Sequence, residues 1–176
     1  MKFIISTLAL TLSLACMPAR SDTLQDAAAA IHRKDYPTAV RLLEPLARNG
    51  DPLAQTRLGT LYYHGHGVRE SDELALQWFE RAARQGLAEA QFNLGNMYAY
   101  GLVRLPDNQD GQRIAAQWYF EAARQGHADA QYSLGILFLT GSGVTQSARE
   151  ARKWIDRAAA QGHADAKVYI KDAPAP

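Results

Sequence analysis

The chain has 176 residues, 47% of them hydrophobic, with 19 Lys and Arg against 18 Asp and Glu. That length fits one ordinary globular or repeat domain, and so even a charge balance leaves no clustered basic face for nucleic acid. The single cysteine, Cys16, stands near the start, so the rest of the chain holds no disulfide framework, thiolate metal site or cysteine nucleophile.

Residues 1–20 read as a secretory signal peptide. Met1-Lys2 leads into an apolar run over residues 3–15, broken only by Ser and Thr. A bilayer needs about 20 apolar residues, so this run is too short to span one and no transmembrane segment is expected after cleavage. A cut after Ala15 satisfies a small-x-small rule through Ser13 and Ala15, and a cut near Ala19 is the alternative. Cys16 also admits a lipid anchor, although Ser13 occupies the place where a bacterial lipobox usually sets Leu. The expectation is export across the inner membrane, with the periplasm as destination in a Gram-negative cell.

Residues 21–50 form a looser helical pair. Residues 23–33 are rich in alanine, while residues 36–48 place Ala39, Leu42, Leu43 and Leu46 at helical spacing. Ala39 lies 36 residues before Ala75, which puts this second helix in register with the later units of the chain. Pro45 should kink or shorten it. An N-terminal cap of a repeat stack is the expected role.

Three full units occupy residues 51–86, 87–126 and 127–162. Gly59 and Gly95 are 36 residues apart, as are Gly126 and Gly162, whereas the middle unit carries four extra residues. A fixed period of this size means stacked supersecondary units. First helices are predicted over residues 52–64, 88–100 and 128–140, and second helices over 72–84, 112–124 and 148–160. Gly59, Gly95 and Gly135 lie inside first helices, where glycine costs about 1 kcal/mol relative to alanine. Its recurrence implies close approach of a neighbouring helix. In the second helices Ala75, Trp78, Phe79, Ala82 and Ala83 share one broad stripe, and Trp78, Trp118 and Trp154 are expected to fill the space between layers. Ser147 with Glu150 reads as a capping box, Ser71 as a similar cap. The closing glycines Gly50, Gly86, Gly126 and Gly162 suit left-handed helix ends. Residues 163–176 read as a half-repeat cap in which Lys171 stands where the inner glycine would be.

These residues resemble the SEL-one-like repeat family, relatives of the tetratricopeptide repeats. The resemblance rests on Leu-Gly-x2-Tyr-x2-Gly at Leu58 to Gly65 and Leu94 to Gly101, on the Trp-aromatic pairs Trp78-Phe79 and Trp118-Tyr119, and on Gly65-His66-Gly67-Val68 and Gly141-Ser142-Gly143-Val144. The middle loop departs from that last pattern as Gly101-Leu102-Val103. The resemblance implies an all-α fold, a right-handed α-solenoid of antiparallel helix pairs acting as scaffold or adaptor. Some secreted members have disulfide-linked repeats linked to penicillin binding; with no paired cysteines, that link does not carry over.

Subtracting the apolar stripe from each first helix leaves four variable slots. They hold Arg57, Asn93 and Ser133; Thr60, Asn96 and Ile136; Tyr63, Ala99 and Leu139; and His64, Tyr100 and Thr140. Arg57, Thr60 and His64 fall on one face, so these slots predict a continuous stripe along the inner curve of the stack. Tyr, Asn, Arg and aliphatic side chains suit a protein or peptide partner in the envelope. No cofactor is implied. His64 and His66, and the equivalent His127 and His163, lack a carboxylate at ligand spacing to complete a metal site. There is no nucleophile elbow, Walker loop or dinucleotide fingerprint, so the reading is not an enzyme. Two alternatives to an adaptor are a hydrolase acting on cell wall or peptide, and a lipid-tethered assembly factor of a secretion or polysaccharide-export complex.

Overall fold

The structure, a computed structural model, describes residues 20–107 and 109–172, so Cys16, the cleavage sites and the final Pro-containing residues lie outside it. Nine helices make up the fold of the described residues: α1 Arg20–His32, α2 Tyr36–Arg48, α3 Pro52–Tyr63, α4 Asp72–Arg84, α5 Ala88–Ala99, α6 Gly111–Arg124, α7 Ala128–Thr140, α8 Ala148–Ala160 and α9 Ala164–Asp172. Each packs on the next in chain order, and no strand occurs among the described residues. This is an all-α solenoid.

Local chemistry sets the helix ends. The side chains of Asp51, Ser71, His127 and Ser147 each accept from a backbone N–H in the first turn of the following helix, replacing an acceptor the helix cannot supply. The capping box at α8 is half made. Ser147 Oγ accepts from the Glu150 N–H, but the Ser147 N–H donates to the Phe138 carbonyl and Glu150 pairs with Lys153 instead. At the far end of α4, Gly86 adopts φ +89°, the left-handed region glycine enters at little cost.

Pro45 neither ends nor shortens α2, which runs on to Arg48. The carbonyl deprived of its donor is that of Arg41, an exposed residue, and only one turn remains beyond the proline. Water can serve there, which blunts the usual penalty.

The inner glycines explain how the two helices of a repeat close on each other. A Cβ on Gly59 would sit 2.7 Å from the Phe79 ring, one on Gly95 2.6 Å from Tyr119, and one on Gly135 2.6 Å from Ile155. The close approach therefore takes the residue after each tryptophan. Phe79, Tyr119 and Ile155 are buried, and so is Trp154, but Trp78 and Trp118 are only partly covered. Trp78 nevertheless packs against the cluster formed by α1, α2 and α3, and Trp118 against that of α4 and α5, so each lies between layers with part of its ring uncovered. Trp78 lies nearer the surface, with the Arg81 guanidinium 4.6 Å above its ring.

A glutamine seam locks one repeat to the next. Gln55, Gln91 and Gln131 are all buried, and their Nε2 atoms donate to the carbonyls of Ala47, Ala83 and Ala123 in the preceding second helix. Their Oε1 atoms accept from Gln85, Gln125 and Gln161 at 2.7–2.8 Å, at the end of the second helix of their own repeat. Each buried amide thus satisfies an orphan helix-end carbonyl and ties three helices together.

Candidate binding cleft on the first-helix face

The repeat places α3 and α5 in the same layer, separated by the ring of Phe79 from α4. Between them lies a cleft of about 190 Å³ lined by Thr60, Tyr63, His64, Asn93, Asn96 and Tyr100, with Phe79 and Met97 as its apolar part. Six of the twelve slot residues meet here.

Their polar groups are arranged by their neighbours. Asn96 Oδ1 accepts from the Tyr119 hydroxyl at 2.7 Å, which leaves the amide N–H groups of Asn96 as donors. Burial pushes the Tyr119 phenol well above its ordinary pKa, so it stays protonated and keeps donating. Thr60 Oγ1 donates to the Thr56 carbonyl at 3.1 Å, leaving its lone pairs as acceptors. Asn93 is half-buried and its side chain makes no hydrogen bond among the described residues. Tyr100 is 71% exposed. The cleft combines amides, hydroxyls, an imidazole and aromatic faces, and its lining holds no carboxylate, lysine or arginine. Such a set can bond backbone amides and cover apolar side chains.

Toward α1 the cleft continues into a second groove of about 560 Å³ that shares Thr60 and His64. Three rings stack along it: Tyr36 on His66 at 4.3 Å and His66 on His64 at 5.4 Å. Tyr36 and His66 were not among the predicted residues. The signal for His66 was present, since the Gly65-His66-Gly67 turn carries it back over the end of α3. The turn packs so tightly that a Cβ on Gly67 would meet the Tyr36 backbone at 2.6 Å.

The remaining predicted residues take other places. Arg57 Nη1 donates to the Leu24 carbonyl at 3.0 Å, so this side chain joins α3 to α1 while lining the second groove. Ser133 is half-buried. Ile136 and Leu139 pack against the cluster of Ile155, Ala158 and Ala166, alongside Tyr169 and Ile170 of α9. Thr140 is exposed, and its Oγ1 donates to the Ile136 carbonyl at 3.1 Å. Polar openness belongs to the N-terminal half of this face and aliphatic packing to the C-terminal half.

Two histidines serve structure. His127 Nδ1 accepts from the Ala130 N–H at 3.3 Å while its ring stacks on Phe92, and His163 caps α9 the same way while stacking on Tyr132. Burial holds the pKa of His127 below its ordinary value. Among the described residues no group of three or more His, Cys, Asp or Glu is placed to hold a metal ion, and no helix is long and apolar enough to cross a membrane.

A family model described as Sel1 repeat matches residues 25–51, 52–87, 88–127 and 128–163. A Sel1 repeat protein from Oxalobacter formigenes superposes with a TM-score of 0.75 at 36% identity, covering 84% of this chain and 59% of that one. A protective antigen of uropathogenic Escherichia coli strains, displaying an SLR fold, superposes with a TM-score of 0.76 at 27% identity over 88% of this chain and 34% of its own. Among curated proteins, protein sel-1 homolog 2 of Rattus norvegicus is 36% identical over 70 residues, 39% of this chain and 10% of that protein. The chain thus spans about a tenth of the curated relative it matches and under two thirds of either solved chain. With four matched spans following the helix pairs from α1 to α8, the chain belongs to the Sel1 repeat family.

Proposed function

We propose that this protein is an exported adaptor that holds a protein or peptide partner on its first-helix face, in the α3–α5 cleft and the groove that continues it toward α1. Sel1 repeats generally serve as protein-interaction scaffolds, and export is read from residues 1–20. The observation that carries the proposal is the cleft itself. It sets an exposed Tyr100 and the donor groups of Asn93 and Asn96 around an apolar floor, on a framework whose buried side-chain polar atoms all have hydrogen-bond partners among the described residues. Rigid aromatic anchors beside unspent hydrogen-bond groups favour contact with an extended chain.

The test is affinity capture from envelope extract with wild type and with Tyr63→Ala, Asn93→Ala and Tyr100→Ala combined. Arg57 is left intact because its loss would also release α1. A specific partner recovered by wild type and lost from the triple variant, with unchanged helical content, supports the reading. Equal recovery by both counts against it. Export is checked separately: the protein should accumulate in the periplasmic fraction without residues 1–15, and retention of an intact leader in the cytoplasm would refute that part.

A further inference from the structure

The second-helix side carries a different site, independent of the first-helix cleft. Each junction between repeats brings together one second helix, the first helix of the next repeat and that repeat's loop. At the first junction the position after Ala39 holds Val40, which packs, as Tyr62 does, against the buried cluster there. At the next, the position after Ala75 holds Leu76, which packs, as Tyr98 and Val103 do, against the buried cluster there. At the third junction the same position is Ala116, beside Phe138 and Val144. Where the other two junctions carry a branched aliphatic side chain, this one has a methyl group. The result is an open groove of about 610 Å³ over Ala116, Leu134 and Phe138.

The rim changes in the same place. Glu44 and Glu80 occupy equivalent rim positions in the two preceding repeats, whereas this repeat has Phe120, 41% exposed and held edge-on against Trp154 at 6.0 Å. A small floor and an aromatic lip, both departing from the pattern of the earlier repeats, make a hole suited to an apolar side chain from outside. Charge marks the two ends. Arg113 is exposed and makes no ion pair among the described residues, and Glu121, at the other end, has only the exposed Arg124 at 3.6 Å. Arg113 and Glu121 are eight residues apart on α6, which is about 12 Å along the helix. Four residues of extended chain span about 13 Å.

We propose that this groove seats one leucine-type side chain of a partner protein, on an extended segment with an acidic residue toward Arg113 and a basic residue toward Glu121. Leu76 shows, one repeat back, the kind of side chain this junction accommodates.

The probe is the blocked peptide Asp-Ser-Leu-Ser-Lys, titrated into the full chain while the three tryptophan indole N–H signals are followed by NMR. Saturable movement of the Trp118 signal, with that of Trp78 much less affected, is expected. The peptide with Ala in place of Leu should bind about ten-fold more weakly or worse. Ala116→Leu, which restores the side chain found one repeat back, should abolish the Trp118 response with no loss of melting temperature. Phe120→Glu should weaken it. No Trp118 movement at millimolar peptide, or equal binding by Ala116→Leu, overturns the proposal. Movement of the Trp118 signal with protein concentration alone would also overturn it, by showing that a second copy fills the groove.

Discussion

The same four slots recur on α3, α5 and α7, yet the two halves of the first-helix face have different fates. On α3 and α5 they hold Thr60, Tyr63, His64, Asn93, Asn96 and Tyr100 around an open cleft. On α7 they hold Ile136 and Leu139, which lie partly buried beside the terminal α9. One backbone geometry therefore supplies both a polar recess and an apolar seat for α9. The side chains in the variable slots decide which, and the constant seam of glycines and glutamines underneath does not.

The largest effect should come from removing what the cleft is built on. Tyr119→Ala deletes a buried ring seated on Gly95 and the hydroxyl that orients Asn96, and should cost about 3–5 kcal/mol in denaturant unfolding. Partner recovery should fall with it, because Asn96 loses its fixed orientation. In the other half, Ile136→Ala should cost about 1–2 kcal/mol through lost burial and leave partner recovery unchanged. If Ile136→Ala weakened recovery as much as a cleft substitution, the distinction between the halves would fail.

A smaller effect depends on pH. The His127 cap needs an unprotonated Nδ1, and burial lowers the native pKa of this group below the unfolded value of about 6.5. Below that value the unfolded chain binds the proton more readily. The contribution is therefore complete above about pH 6.5 and is lost as the pH falls from there through the lowered native pKa. His127→Asn keeps a capping side chain without the titration, so its melting temperature should fall less than that of wild type between pH 7.5 and 5.5. Equal slopes would show that the cap is not the cause. The smallest effect is Tyr100→Ala, expected within about 0.5 kcal/mol of wild type because its side chain is exposed. Its consequence should appear in binding alone.

The helix pairs and their order were legible because small and bulky residues recur at a fixed period. Which bulky residue goes deepest was not. Trp78 and Phe79 are adjacent on one broad stripe, and only the location of Gly59 on the partner helix selects Phe79. The glutamine seam left a visible trace, since Gln55, Gln91 and Gln131 recur in one slot and Gln85, Gln125 and Gln161 in another. A glutamine on a helix is usually solvated, so the recurrence carried no chemistry until the Ala47, Ala83 and Ala123 carbonyls were seen opposite. The cleft residues were readable as the part of each first helix left over from packing. Arg57 and Ile136 share slots with cleft residues, and the repeat pattern says nothing about how α1 and α9 settle against them.

The central claim is that partner contact belongs to the N-terminal half of this face. Tyr100 and Thr140 occupy the same slot in successive repeats and are both exposed, so a photo-crosslinking residue placed at each samples the two halves under matched conditions. The account predicts a discrete adduct in intact cells from position 100 and none above background from position 140. Equal yields of the same adduct from both positions would contradict it.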